Sequence, residues 1–191
     1  MNVTGISNFI KQYKVAIIIM AGLLIGTAYA NITVKYLSVK PTIFGYEFLA
    51  AYEEVEVNSF SLWQYVFGTR FRDFAAVLIM CFTNLRKGAV NAYITYFGIV
   101  TGAMISFAVM NHGTAGMWIY LLSVLPQYIL YILAFKVVYT IGTEERRNGV
   151  NDVKKYIFMV LFIISLVFAG TYVEAYVNPM VMRWVYSWMW F

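Results

Sequence analysis

Charged residues are scarce in this chain, since only 12% of its 191 residues are Asp, Glu, Lys or Arg. Ordinary water-soluble domains carry about 25% charged residues. Apolar residues make up 62% of the chain, so too few polar side chains remain to cover a surface that faces water. The composition excludes a soluble globular protein. It predicts an all-α integral membrane protein with a single membrane domain, residues 1–191, whose main partner is the lipid bilayer.

Cysteine and the usual catalytic motifs are also missing or nearly so. Cys81 is the one cysteine, which rules out an intramolecular disulfide, and His112 is the one histidine. No cysteine or acid accompanies His112 at metal-ligand spacing. Motifs typical of zinc proteases, serine hydrolases and phosphate-binding loops do not occur. We therefore expect a protein that is not an enzyme and that has no catalytic residue, metal, cofactor or nucleic-acid partner.

Long apolar runs dominate what is present. A helix needs about 20 apolar residues to cross about 30 Å of hydrocarbon. Four runs reach this length, at residues 15–34, 89–110, 117–142 and 156–177. A fifth run, residues 74–85, covers only about 18 Å as a helix. It crosses if the helix extends over residues 71–87 while the charged heads of Arg70 and Arg72 reach outward. Otherwise it forms half of a re-entrant hairpin.

The distribution of basic residues favours the crossing. With five spans and the N-terminus inside, nine of the 14 lysines and arginines lie inside and five lie outside, as the positive-inside rule requires. Without the short span, the basic loop 143–155 moves outside and the rule is violated. The sequence thus predicts five transmembrane helices, an outside C-terminus, a cytoplasmic loop 143–155 and an extracytoplasmic segment 35–70. Within that segment we expect a surface helix, residues 60–67, capped by Asn58 or Ser59.

One acid, Glu174, lies inside the last apolar run, five residues before Pro179. A carboxylate in hydrocarbon is costly, so Glu174 is a candidate structural anchor, proton or ion ligand, or partner contact. Its position about 27 Å along the span from Tyr156 places it near the outer edge. There we expect it to pair with Arg70 or Arg72, or with backbone donors freed near Pro179. The proline itself predicts that the helix bends or stops.

Two polar or helix-breaking residues lie near the middle of the fourth span. Pro126 removes the hydrogen bond to the carbonyl of Leu122 and predicts a kink. Gln127 is an amide in hydrocarbon and is expected to bond to a neighbouring helix. Both residues either shape the bundle or, as in some transporters, line a path.

Small residues form two helix faces, Gly22-x-x-x-Gly26 and Gly98-x-x-x-Gly102. Such faces let two helices approach closely. The pattern leaves open whether they pack within the chain or against a second copy in a homo-oligomer.

Three segments carry a family resemblance. They are Leu125–Ala134 (LPQYILYILA), Tyr96–Ala103 (YFGIVTGA) and Thr171–Pro179 (TYVEAYVNP). They resemble, respectively, the proline-centred fourth helix, the glycine-bearing third helix and the final Glu-x-Tyr-x-x-Pro signature of the stage II sporulation protein M family. Gln127 and Tyr131 stand where many broader members carry His and Glu, which is similar to the sporulation-type clostridial branch.

The resemblance implies a membrane protein of the mother cell that is needed for engulfment of the forespore. In that family the protein is a scaffold for two cell-wall hydrolases, a lytic transglycosylase and an amidase/endopeptidase. The alternative is a membrane subunit of a peptide export system driven by a separate ATPase, which would contact the loop 144–155. The candidate structural or assembly residues are Glu174, Asn178, Pro179, Pro126, Gln127, Arg70, Arg72, Gly98 and Gly102.

Overall fold

The computed structural model describes residues 3–37, 42–45, 47, 58–144 and 150–189. In these residues the protein is all-helical, with five α-helices and no strand. The helices are α1 (Val3–Leu37), α2 (Ser59–Cys81), α3 (Arg86–His112), α4 (Thr114–Thr143) and α5 (Val150–Met189).

Four of these helices are long and apolar enough to cross a membrane. Their apolar stretches are Tyr13–Tyr36, Arg86–His112, Thr114–Thr143 and Val153–Val185, with mean hydropathies of 1.6 to 2.3. Only 17–28% of the most apolar window of each stretch is buried inside the protein, so most of its residues keep some exposed surface that can contact lipid. The protein is therefore a multi-pass membrane protein, and the spans expected at 15–34, 89–110 and 117–142 lie within α1, α3 and α4.

Helix α2 corrects the predicted boundaries between the first two long spans. Asn58 caps it, as expected, since its side-chain oxygen accepts from the backbone N–H groups of Phe60 and Ser61 at 3.1 and 3.2 Å. The helix then continues without a break to Cys81. The surface helix 60–67 and residues 71–81 of the predicted span 71–87 are thus one helix, to which residues 59–70 of the predicted segment 35–70 also belong. The last part of the predicted span is not in this helix, since residues 82–85 form a turn and Arg86 begins α3. Gly68, which directly follows the predicted surface helix, lies inside α2, where a glycine costs only about 1 kcal/mol relative to alanine.

Helix α5 is also longer than predicted. The expected span 156–177 lies inside a helix of 40 residues that continues ten residues beyond Pro179. Of the two alternatives expected at this proline, a bend or a stop, the stop is therefore wrong. Proline removes a single backbone donor. Three side chains that flank the proline are no more than 2% exposed: Ala175 precedes it, and Met182 and Val185 follow it. Their packing holds the helix together across the interruption.

The chain divides into two compact units. The first unit contains Met1–Gly45 and Asn91–Met117, and the second contains Tyr46–Val90 and Trp118–Phe191. The first unit thus contains α1 and most of α3, while the second contains all of α2 and α5 and most of α4.

Within the first unit, α1 and α3 approach each other through their glycines. A Cβ atom added to Gly22 would lie 3.0 Å from the Cα atom of Gly98, and one added to Gly102 would lie 2.9 Å from the Cα atom of Leu23. Only glycine allows such a close approach of two backbones. The small-residue faces therefore pack against each other inside the chain, which decides the alternative that the sequence left open.

The turn after α3 is tied to residues 42–45 in the same unit. Asn111 donates its side-chain N–H to the carbonyl oxygen of Ile43 at 2.9 Å, and the ring of His112 bonds to the carbonyl oxygen of Phe44 at 2.5 Å. Phe44 is buried and has a positive φ of 60°. His112 therefore helps to hold a constrained turn.

Within the second unit, α2 packs against both α4 and α5. The rings of Trp63 and Phe67 lie 5.4 and 5.9 Å from the ring of Phe168. Cys81 is fully buried, with its sulfur 3.9 Å from the carbonyl oxygen of Val138. Burial removes this thiol from solvent and gives it a packing role.

Candidate assembly site at Glu174

Glu174 forms a two-point ion pair with Arg70 across the α2–α5 contact. The Nη2 atom of Arg70 donates to Oε1 of Glu174 at 2.6 Å, and its Nε atom donates to Oε2 at 3.1 Å. Bidentate pairs of this kind are among the strongest charged hydrogen bonds in proteins. The predicted pairing is therefore confirmed with Arg70, whereas Arg72 is exposed on the surface of α2.

Tyr131 of α4 completes the arrangement. Its hydroxyl group donates to Oε2 of Glu174 at 2.6 Å, and the guanidinium carbon of Arg70 lies 5.6 Å from the centre of its ring, a distance at which cation and ring attract. We call Glu174, Arg70 and Tyr131 the Glu174 cluster. The carboxylate accepts three hydrogen bonds, so three helices meet at one acid.

The local sequence explains how the cluster is built. Gly170 precedes Glu174 by four residues and therefore lies on the same face of α5. A Cβ atom at Gly170 would come within 2.6 Å of the Cε1 atom of Tyr131, so glycine leaves the space that this ring occupies. Phe74, four residues after Arg70, is buried with its ring 6.0 Å from that of Tyr131. The ion pair thus has an apolar wall that strengthens its attraction.

The apolar part of α5 is long enough to cross a whole bilayer. The charged residues that bracket its apolar part are Lys155 and Arg183, which are about 42 Å apart along a helix axis. That distance matches the full thickness of a bilayer, about 40–45 Å with its headgroups. Glu174 lies about 13 Å from Arg183 along this axis. Its expected position near the outer edge of the membrane stays a prediction.

A position within the apolar part of α5 makes a partner for the acid necessary. The side chain of Glu174 is 14% exposed and that of Arg70 is 38% exposed. An isolated charge in a medium of low dielectric constant is very unfavourable, whereas a paired and fully hydrogen-bonded one is tolerated. Because both carboxylate oxygens are engaged, the geometry favours the anchor among the three alternatives for Glu174.

Gln127 does not make the bond that was expected of it. Its side chain is only 3% exposed, yet its Nε2 atom donates to the carbonyl oxygen of Ser123 at 2.8 Å, on its own helix. Pro126 lies inside α4, and the carbonyl that its missing N–H leaves unbonded is that of Leu122. The carbonyl of Ser123 lies one turn before Gln127 on the same helix and is therefore within reach of its side chain. The Oε1 atom of Gln127 is buried without a partner. The prediction of an interhelical bond is therefore wrong.

The remaining candidates have structural positions outside the Glu174 cluster. The Oδ1 atom of Asn178 is buried without a hydrogen-bond partner, and Pro179 is half-buried in α5. Gly98 and Gly102 belong to the α1–α3 contact in the first unit.

Sequence reasoning missed two members of this site, Tyr131 and Gly170. Both could be found from the spacing of four residues that places neighbours on one helix face, since Tyr131 follows Gln127 and Gly170 precedes Glu174 at this interval. Which helix each face meets is not encoded in that spacing.

Comparison of the chain with models of known protein families, with characterised proteins and with solved structures gave no match. The resemblance of three segments to the stage II sporulation protein M family therefore stays a prediction. Among the described side chains, no group of three or more His, Cys, Asp or Glu is placed to hold a metal ion.

Replacing Gly170 with alanine tests the packing that aims Tyr131 at Glu174. The added methyl group must displace the ring, so we expect the free energy of unfolding to fall by about 1–3 kcal/mol, the usual cost of overpacking. Denaturant titration of the purified protein measures this. In a Tyr131→Ala background the same change should cost less than about 0.5 kcal/mol, because its clash is gone. Equal losses in both backgrounds would show that the ring is not what Gly170 accommodates.

Proposed function

We propose that this protein is a non-enzymatic membrane scaffold that acts through extracytoplasmic partners. The observation that carries the proposal is the use of the one acid within the last apolar run of the sequence, Glu174. Its carboxylate is engaged by Arg70 and Tyr131 and joins three helices. A residue that relays protons must exchange them with solvent or substrate. An acid that accepts three hydrogen bonds from other helices is better suited to holding those helices together than to relaying protons.

The position of the Glu174 cluster fits a scaffold that binds an extracytoplasmic partner. Helix α2 directly follows the segment 38–57, which the sequence assigns to the outside, and the pair with Glu174 holds α2 twelve residues after its cap, Asn58. Fixing the helix fixes the point from which that segment departs. Rigid elements position binding segments better than mobile ones do, so the Glu174 cluster would orient the partner-binding region.

The proposal includes five spans, in which α2 crosses the membrane in addition to the four long apolar helices. The N-terminus is inside and the C-terminus is outside. Two contacts support a crossing of α2. Arg70 contacts Glu174, and the ring of Phe82, directly after α2, lies 6.4 Å from the ring of Tyr156. Glu174 and Tyr156 are about 27 Å apart along α5, nearly the thickness of the hydrocarbon. The charge asymmetry of the sequence supports the orientation.

We further propose that the partners are cell-wall hydrolases, a lytic transglycosylase and an amidase/endopeptidase, in the mother-cell membrane during engulfment of the forespore. This part rests on the sequence resemblance to the stage II sporulation protein M family. Affinity purification of the full chain from sporulating cells, with identification of the captured proteins, tests it directly.

Glu174→Gln connects this experiment to the site. We expect the variant to insert into the membrane at normal levels but to capture less hydrolase, because Arg70 loses its charged partner. Glu144→Gln is the matched control. It breaks an exposed ion pair with Lys155 (2.5 Å) at the other end of α5, and such pairs are worth only about 0–1 kcal/mol.

Three outcomes would contradict the proposal. Normal engulfment in cells lacking the protein would remove the scaffold role. Capture of a cytosolic ATPase without any hydrolase would favour the export subunit instead. Unchanged stability and unchanged hydrolase capture in Glu174→Gln would show that the cluster is not the joint on which assembly depends.

A further inference from the structure

An apolar groove of about 360 Å³ lies where the turn after α2 meets the first half of α5. Its walls are Phe82 from the turn and Val153, Tyr156, Ile157, Val160 and Leu161 from α5. Ile157 and Leu161 are 56% and 60% exposed. The groove is open on the apolar surface of the helix and extends about 12 Å along α5 from Val153 to Leu161.

Basic side chains outnumber acidic ones in the chain segments next to this groove. Among the described side chains of residues 82–90 and 144–156, four are basic, namely Arg86, Lys87, Lys154 and Lys155, and one is acidic, Glu144. Lys154 is exposed, and its spacing of three and seven residues from Ile157 and Leu161 places it on the side of α5 that borders the groove. Lys155 points elsewhere, because it forms an ion pair with Glu144 at 2.5 Å.

A basic edge next to an apolar groove is complementary to the two parts of a phospholipid, its anionic headgroup and its acyl chain. Basic residues just beyond a spanning helix attract anionic headgroups, and pockets between helix ends on the basic side of a membrane protein hold them. Tyr156 is a residue type that favours the level where headgroups meet acyl chains, and its hydroxyl group can donate to a phosphate oxygen. The 12 Å of exposed apolar surface below it corresponds to the upper part of an acyl chain.

We propose that this groove binds an anionic glycerophospholipid, with its phosphate near Lys154 and an acyl chain along Ile157 and Leu161. The inference is independent of the scaffold function proposed above. It does not depend on which leaflet contains the groove, because it requires only that α5 enters the membrane next to Lys155.

Native mass spectrometry of the full chain in detergent, with added phosphatidylglycerol or phosphatidylcholine, tests the proposal. We expect phosphatidylglycerol to be retained at least fivefold better. Lys154→Gln should weaken its retention about fivefold, which corresponds to the roughly 1 kcal/mol that one lysine contributes near an anionic surface. Lys35→Gln, which removes an exposed lysine at the end of α1, should leave retention unchanged.

A second variant separates a lipid site from a site for phosphate alone. Leu161→Trp fills the apolar part of the groove without touching Lys154, and we expect it also to lower the retention of phosphatidylglycerol. Equal retention of the two lipids would overturn the proposal. So would displacement of phosphatidylglycerol by millimolar inorganic phosphate, or unchanged retention in both variants. The thermal unfolding midpoint of each variant shows whether it is folded.

Discussion

Replacing Arg70 with methionine is expected to lower the free energy of unfolding by about 2–4 kcal/mol, because it leaves the carboxylate of Glu174 without its cation at a part-buried position. Glu174 is 14% exposed, and the cost of an unpaired charge rises as the local dielectric constant falls. Titration of the protein in mixed micelles with a denaturing detergent, followed by tryptophan fluorescence, measures the change. Arg72→Met is the matched control, since Arg72 is exposed two residues further on. It should cost less than about 0.5 kcal/mol.

The double variant Arg70→Met with Glu174→Met makes the test specific. Replacing both members of a buried ion pair with apolar residues is often neutral or stabilising, so we expect the double variant to recover most of the loss. The hydroxyl group of Tyr131 then loses its acceptor and limits the recovery. Losses that simply add in the double variant would show that the two side chains do not depend on each other.

Replacing Gly98 with alanine is expected to destabilise the first unit by about 1–3 kcal/mol, the range for overpacking. The new Cβ atom would lie 2.8 Å from the carbonyl oxygen of Ile19 and 3.1 Å from the Cα atom of Gly22. Both are backbone atoms of α1, so the clash is relieved only by moving a whole helix. Thermal unfolding in detergent measures the loss.

Gly68→Ala is the matched control for this prediction. Gly68 lies inside α2, and a Cβ atom there would meet nothing within 4 Å. Alanine is a better helix former than glycine by about 1 kcal/mol, so the control should be neutral or stabilising. If both variants changed stability in the same direction and by the same amount, helix propensity rather than the α1–α3 contact would explain the effect.

The ion pair could be anticipated from the sequence because few charges are available to meet one another. Only 12% of the residues are charged, and Arg70 and Arg72 were the basic residues expected at the level of Glu174. The scarcity of charge thus left two candidate ion-pair partners for Glu174. The choice of Arg70 over Arg72 depends on which face of α2 turns toward α5. That face is fixed by packing around Phe74 and Tyr131, which no local pattern reveals.

The helix ends were predicted less well at glycine and proline. Gly68 and Pro179 both lie inside continuous helices, although each weakens a helix locally. Buried side chains around Pro179 and the ion pair beside Gly68 outweigh these local costs. The bond expected from Gln127 to a neighbouring helix is missing because a carbonyl on its own helix accepts from its Nε2 atom instead.

The sequence by itself determined that this is an all-helical, multi-pass membrane protein, because its apolar runs are long and its charges too few to cover a surface in water. It also determined which residues had to find partners, since an acid in hydrocarbon is costly wherever it lies. Tertiary structure alone decided what those partners are. Arg70 and Tyr131 are 104 and 43 residues from Glu174 along the chain, and only the packing of three helices brings them to the same carboxylate.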